Sequence, residues 1–201
     1  MSFYRPTRLE LAMHEAGHAY AFAAVSRRNE PNELGLGNDE TGNHHGWCNR
    51  NTLLHKLPLE RIPTDVMPHI RWAAAAEVVV AISGSVAEFR HRYRSRATGG
   101  LVLSLNAALF LKPYAFDTDG DFERIRSTFA YIQPADPVGE LPRLMDISDV
   151  IIAANWVNIT RLGRQLLARC ITEREELFDW FQANPARPHH GELAITPPAQ
   201  D

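Results

Sequence analysis

Residues 12–20 read Ala12-Met13-His14-Glu15-Ala16-Gly17-His18-Ala19-Tyr20, and the fold turns on how this stretch is wound. Two histidines four residues apart stand one turn apart on the same face of an α-helix. The flanking residues support such a helix over 7–25. Pro6 precedes it, Thr7 and Glu10 have the spacing of a capping box, and Leu11, His14, Glu15, His18 and Phe22 recur on one face. Both imidazoles can then reach one zinc ion. Glu15 is rotated by about 100° from His14, beside that ion but not bound to it. This is the H-E-x-x-H pattern of zinc hydrolases, with the glutamate as general base. Such a site needs a third protein ligand and an open position for water. Buried without a partner, residues 14, 15 and 18 would be costly, and a metal ion supplies that partner.

Outward from this helix, the chain is expected to be mainly α (α+β). Residues 26–32 are polar and read as a loop. Glycines at 35, 37, 42 and 46 break any helical period, so a β hairpin is expected near residues 33–50, with strands near 33–36 and 45–49. Residues 59–92 read as two helices or one kinked helix, with Glu77 interrupting the apolar period and Gly84 marking a bend or close packing. Residues 95–100 read as a loop, 101–112 as an apolar helix, and 116–125 as an acidic loop entering a helix that ends near Tyr131. Three prolines and a glycine make 133–143 a loop. Helices follow over 146–169 and 172–183. One domain is expected over 1–184, followed by a proline-rich, partly disordered tail over 185–201.

Composition sets the class. Among 201 residues, 45% are hydrophobic and 22% charged, as in ordinary globular proteins. The net charge of −3 gives no overall basic footprint for nucleic acid. The basic tract Arg90-His91-Arg92-Tyr93-Arg94-Ser95-Arg96 reads as a solvated helix end. Two cysteines, Cys48 and Cys170, form no disulfide framework and suit a reducing compartment. The start MSFYRPTRLE has no apolar signal region, and the longest apolar run, near Ala73–Ile82, is short of a membrane span. A cytoplasmic protein with no membrane span and no nucleic-acid partner is expected.

His14-Glu15-Ala16-Gly17-His18-Ala19 resembles the corresponding helix of the FtsH-type zinc peptidases. Ile82-Ser83-Gly84-Ser85-Val86-Ala87-Glu88 resembles a second helix of that family, with Ser85 where the family has arginine. Asp119-Gly120-Asp121-Phe122-Glu123-Arg124-Ile125 is similar to the segment that supplies the family's third zinc ligand, and residues 155–175 resemble its closing helices. The resemblance implies one Zn2+ held by His14, His18 and Asp121, with Asp117, Asp119 and Glu88 as rivals for the third place. It also implies a strand beside the cleft, for which Gly46, Trp47 and Cys48 are the candidate substrate-binding residues by strand addition. His44, His45 and Cys48 are too close in sequence for an easy second zinc site. Tyr114, His44 and His45 are unranked oxyanion partners. The family carries a membrane segment and an ATPase module, but this chain has no GxxxxGK[ST] phosphate loop.

The expected function is therefore ATP-independent zinc metalloendopeptidase activity on a polypeptide, with Glu15 as catalytic base. The alternatives are a zinc-bound but proteolytically inactive binding module, a peptidase specific for one protein partner, or a helical interaction protein without metal.

Overall fold

The computed structural model describes residues 6–26, 31–50, 58–94, 120–134, 136–169 and 171–189. Among them are five α-helices: α1 (Arg8–Ser26), α2 (Met67–Tyr93), α3 (Gly120–Ile132), α4 (Pro137–Arg169) and α5 (Arg174–Ala183). A short 3-10 turn at Leu59–Arg61 precedes α2. Strands β1 (Glu33–Asn38), β2 (His44–Asn49) and β3 (Ile171–Thr172) form one antiparallel sheet in the order β2-β1-β3. The mainly helical fold with a small sheet is as expected.

The capping box at the start of α1 is formed. The Thr7 amide donates to Glu10 Oε2 at 2.7 Å, and the Glu10 amide donates to Thr7 Oγ1 at 3.2 Å. Beyond this turn, α1 is buried on nearly every side. Its alanines let α2 and α4 approach closely, and the sheet covers the remaining flank. Met13, Tyr20 and Phe22 fill the core beside Ile82, Ile151 and Ile152, all essentially inaccessible to water. Each such large side chain adds roughly 1.5–3 kcal/mol of burial free energy.

Gly17 fixes the crossing of α1 over α2. A Cβ there would stand 2.6 Å from Ala87 Cβ and 2.8 Å from the Ser83 carbonyl oxygen. Only a residue without a side chain brings the two backbones this close. The HEAGH turn is thereby pressed against Ser83-Gly84 of α2.

α2 is one unbroken helix, with Pro68 in its first turn, where the missing N–H costs nothing. Gly84 marks close packing. Glu77 is explained by its partner: Arg50, just beyond β2, donates to its carboxylate at 2.8 Å in a nearly water-free setting. By length and composition alone, α2 is long and apolar enough to cross a membrane, a property the apolar run at 73–82 did not suggest. Within this fold most of its apolar stretch is buried by neighbouring elements, as befits a central helix.

Three boundaries differ from the expectations. The loop expected over 133–143 is short, because α4 begins at Pro137. Asp136 caps it, its carboxylate accepting from the Gly139 amide at 3.0 Å, and Pro137 occupies the first helical position. Pro142 sits inside the helix. The helix expected from 172 begins at Arg174, because Ile171 and Thr172 pair with Gly35 and Leu34 as β3. A two-residue strand has no readable period. Residues 185–189, assigned to the tail, continue from Asn184 along α1 and α4, and the His189 amide donates to the Ala24 carbonyl at 3.3 Å. Tyr20 donates to the Asn184 carbonyl at 3.1 Å, and the Arg187 amide donates to Asn155 Oδ1 at 2.8 Å. The remaining tail, the 95–100 loop and the 101–112 helix lie outside the described residues.

The β1–β2 turn is built on Asp39. Its Oδ1 accepts from the Thr41 hydroxyl at 2.7 Å, the Asn43 amide at 2.8 Å and the Thr41 amide at 2.9 Å. Led by the Thr41 hydroxyl, these bonds lower the Asp39 pKa from 3.8 to about 2. The pKa is depressed by folding, so the stabilisation is present above pH 3.8 and is lost as pH falls through about 2. The Thr41 and Asn43 amide proton shifts should therefore titrate together with a midpoint near 2. A midpoint at the ordinary carboxylate value would contradict this.

Candidate metal centre

Three elements meet at the HEAGH turn. α1 supplies His14, Glu15 and His18, the first turn of α3 supplies Asp121, and α2 forms the wall behind them. The Nε2 atoms of His14 and His18 both point at one carboxylate oxygen, Asp121 Oδ2, at 2.9 and 2.8 Å. The donor atoms of these three residues lie within 4.8 Å of one another, and they can hold one metal ion.

The opposite ring nitrogens are fixed. His18 Nδ1 meets the Val80 carbonyl oxygen at 2.7 Å, and a carbonyl only accepts, so this nitrogen carries the proton. His14 Nδ1 meets Glu88 Oε2 at 3.3 Å. With both Nδ1 atoms donating, the neutral rings present two Nε2 lone pairs to an anionic oxygen. Lone pairs facing a carboxylate need a cation between them, either protons or a metal. The pKa directions agree. Burial by itself would lower the His14 pKa, but Asp121, Glu88 and Glu15 outweigh it and raise the pKa well above the usual value. Burial opposes ionisation of Asp121, yet the charge of His18 and hydrogen bonds from both histidines hold its pKa well below the carboxylate range.

Gly84 provides the space. A Cβ built there would stand 2.6 Å from His14 Nε2 and closer still to His18 Nε2. The hollow into which both nitrogens point therefore exists because α2 carries no side chain at this position. The donor set and this hollow both fit a zinc ion, which takes nitrogen and oxygen ligands in compact four-coordinate sites.

Of the rivals to Asp121, Glu88 stands on the other side of His14 and orients its ring. Arg92 holds Glu88 in turn, and also donates to Glu10 Oε1 at 2.9 Å. Asp117, Asp119 and Tyr114 lie outside the described residues. The basic tract is not simply solvated: Arg92 is half-buried in this network, and Arg90 lies 3.7 Å from Asp149.

β2 forms the other wall. The register sets Gly46 opposite Leu36 and Cys48 opposite Leu34, so these residues face the helices with the buried leucines. A Cβ on Gly46 would meet Glu15 Oε1 at 2.5 Å and Glu15 Cγ at 2.7 Å. Gly46 thus makes room for the carboxylate. Trp47 faces the other way, its ring over Gly35, and His45 stacks on it with ring centroids 5.6 Å apart. His44 bonds Asn38 Oδ1 at 2.7 Å. His44, His45 and Cys48 join no metal-capable group among the described residues. Burial, reinforced by the charge of Glu15, raises the Cys48 pKa far above the thiol range, so the thiol stays protonated.

The cleft between these walls has a volume of about 640 Å³ and contains His14, Glu15, His18, Asp121 and residues 44–48. It also contains Arg124, one turn beyond Asp121, and Gly84 shapes its ligand pocket from behind. Arg124's part in the cleft was not readable in the sequence, where it is an ordinary helical cation. No family model matches this chain, and no curated protein matches it.

Proposed function

We propose that this protein is a zinc-dependent endopeptidase of the FtsH-like type, acting on polypeptides. The observation that carries the reading is the convergence of His14 Nε2 and His18 Nε2 on Asp121 Oδ2, with Glu15 on the same helix face and turned toward the cleft. His14, His18 and Asp121 would hold the ion. A bound zinc ion supplies Lewis acidity, acidifying a water and polarising a carbonyl.

The chain's own residues do the rest. Glu15 accepts the proton of the attacking water and returns it to the leaving amine. Val80 and Glu88 fix the histidine tautomers, so that ligand geometry is set before substrate arrives. In the sheet order β2-β1-β3, one edge of β2 has no strand beside it among the described residues, and residues 44–48 line the cleft. An extended peptide can pair with that edge, which brings its backbone past Glu15 at Gly46.

The test is zinc stoichiometry together with cleavage of an unfolded protein such as casein. Wild type should hold one zinc per chain and cleave. His14→Ala and Asp121→Ala should lose most of the zinc and all cleavage. A wild-type protein free of zinc after metal-replete purification would refute the reading. Full zinc in Asp121→Ala would remove Asp121 from the ligand set.

A further inference from the structure

A second cavity, of about 670 Å³, shares no lining residue with the metal cleft. It opens where the start of α1 and the end of α2 meet the middle of α4. Four arginines line it: Arg90, Arg92 and Arg94 from the end of α2, and Arg164 from α4. Two are held in place by carboxylates, Arg90 by Asp149 and Arg92 by Glu10 and Glu88. Arg90 also lies over the Trp156 ring, 5.5 Å from its centre. Arg94 and Arg164 have no carboxylate partner among the described residues. They bring like charge to a cavity where half of the guanidinium groups are already neutralised.

The backbone at Arg94 is an independent observation. It caps α2 with φ 52°, the left-handed region that helix ends ordinarily reserve for glycine. An arginine there is strained, and strain of this kind gathers at sites where a side chain is used. We infer that this cavity binds a small phosphate monoester, with Arg94 and Arg164 gripping the phosphate. Guanidinium groups match phosphate oxygens in pairs, which makes them the preferred partners of such dianions. The volume exceeds the needs of a bare phosphate and suits a small organic molecule. Leu9 and Trp156 provide an apolar wall for its organic part.

The probes are inorganic phosphate and phenyl phosphate, added to the full chain in zwitterionic buffer, with binding read by calorimetry and by the unfolding midpoint. Both should bind saturably, phenyl phosphate more tightly. Arg164→Ala should weaken binding roughly tenfold or more, the usual loss for a charge-assisted bond. Arg94→Gly should do the same while raising the unfolding midpoint in phosphate-free buffer, because glycine relieves the strain. That pairing separates lost recognition from lost folding. Binding undiminished in both variants would overturn the assignment, as would equal stabilisation by sodium chloride at matched ionic strength. Binding that vanishes in His14→Ala but persists in the arginine variants would move the phosphate to the metal cleft and also overturn it.

Discussion

Replacing Gly84 with alanine is expected to abolish stoichiometric zinc uptake while leaving the helices intact. The added methyl would meet both Nε2 atoms that face Asp121, at 2.6 Å from that of His14. Something must move, and the neighbours allow little choice. Gly17 already packs α1 against Ser83 and Ala87 with no slack. The imidazoles are the groups free to turn, and turning them breaks the bonds to Val80 and Glu88 that aim them. Losing an orienting partner alone commonly costs 10–100-fold in metal affinity. Here two ligands are displaced together, so a loss of roughly 100-fold or more is expected on that scale. The backbone should not suffer, since alanine is favoured over glycine inside a helix by about 1 kcal/mol. Zinc affinity, measured by competition with a chromophoric chelator, should collapse while helical circular dichroism is unchanged. Ser85→Ala, one position further along α2, serves as the control. Tight zinc binding by Gly84→Ala would mean that the hollow is not the metal's place.

Gly84 also shows where sequence stops being informative. His14, Glu15 and His18 are local: their spacing on one helix is fixed by 3.6 residues per turn, and a capping box announces where that helix starts. Asp121 comes from a motif resemblance a hundred residues away, and the convergence of its Oδ2 with both histidines is a fact of packing. Gly84 is visible as a glycine in an apolar helix, but which atoms need its missing side chain depends on how α1 crosses α2. β3 pairs with a strand far off in the sequence, and two residues give periodicity nothing to act on. The early start of α4 was hidden by prolines read as breakers. Pro137 follows an aspartate cap, where proline suits a first helical turn. Arg90 and Arg92 read as a solvated end because Asp149 and Glu10 reach them only through tertiary contact, while Glu88, one turn before Arg92 on the same helix, is the one partner that spacing could have shown.

Glu15→Gln should bind zinc like wild type and hydrolyse peptides roughly 10²–10⁴-fold more slowly, the usual worth of a positioned general base. Glu15 is absent from the metal-capable trio, so removing its charge should leave the stoichiometry at one. Glutamine matches its shape, and the contact with Gly46 on β2 survives the exchange. What is lost is a group able to take a proton from water and return it to the departing amine, which an amide cannot do. Two quantities, bound zinc and the rate of casein cleavage, therefore separate the roles of residues one position apart. His14→Ala loses both, and Glu15→Gln loses only the rate. If wild type and Glu15→Gln both held zinc and neither cleaved peptides, the centre would be a binding module rather than an enzyme. The position of Glu15 argues otherwise. It is a buried carboxylate at the wall of the cleft, next to two histidines and opposite a glycine that leaves it room. A carboxylate held at that place, beside the residues that would bind the ion and within the cleft, is where a general base for an attacking water has to stand.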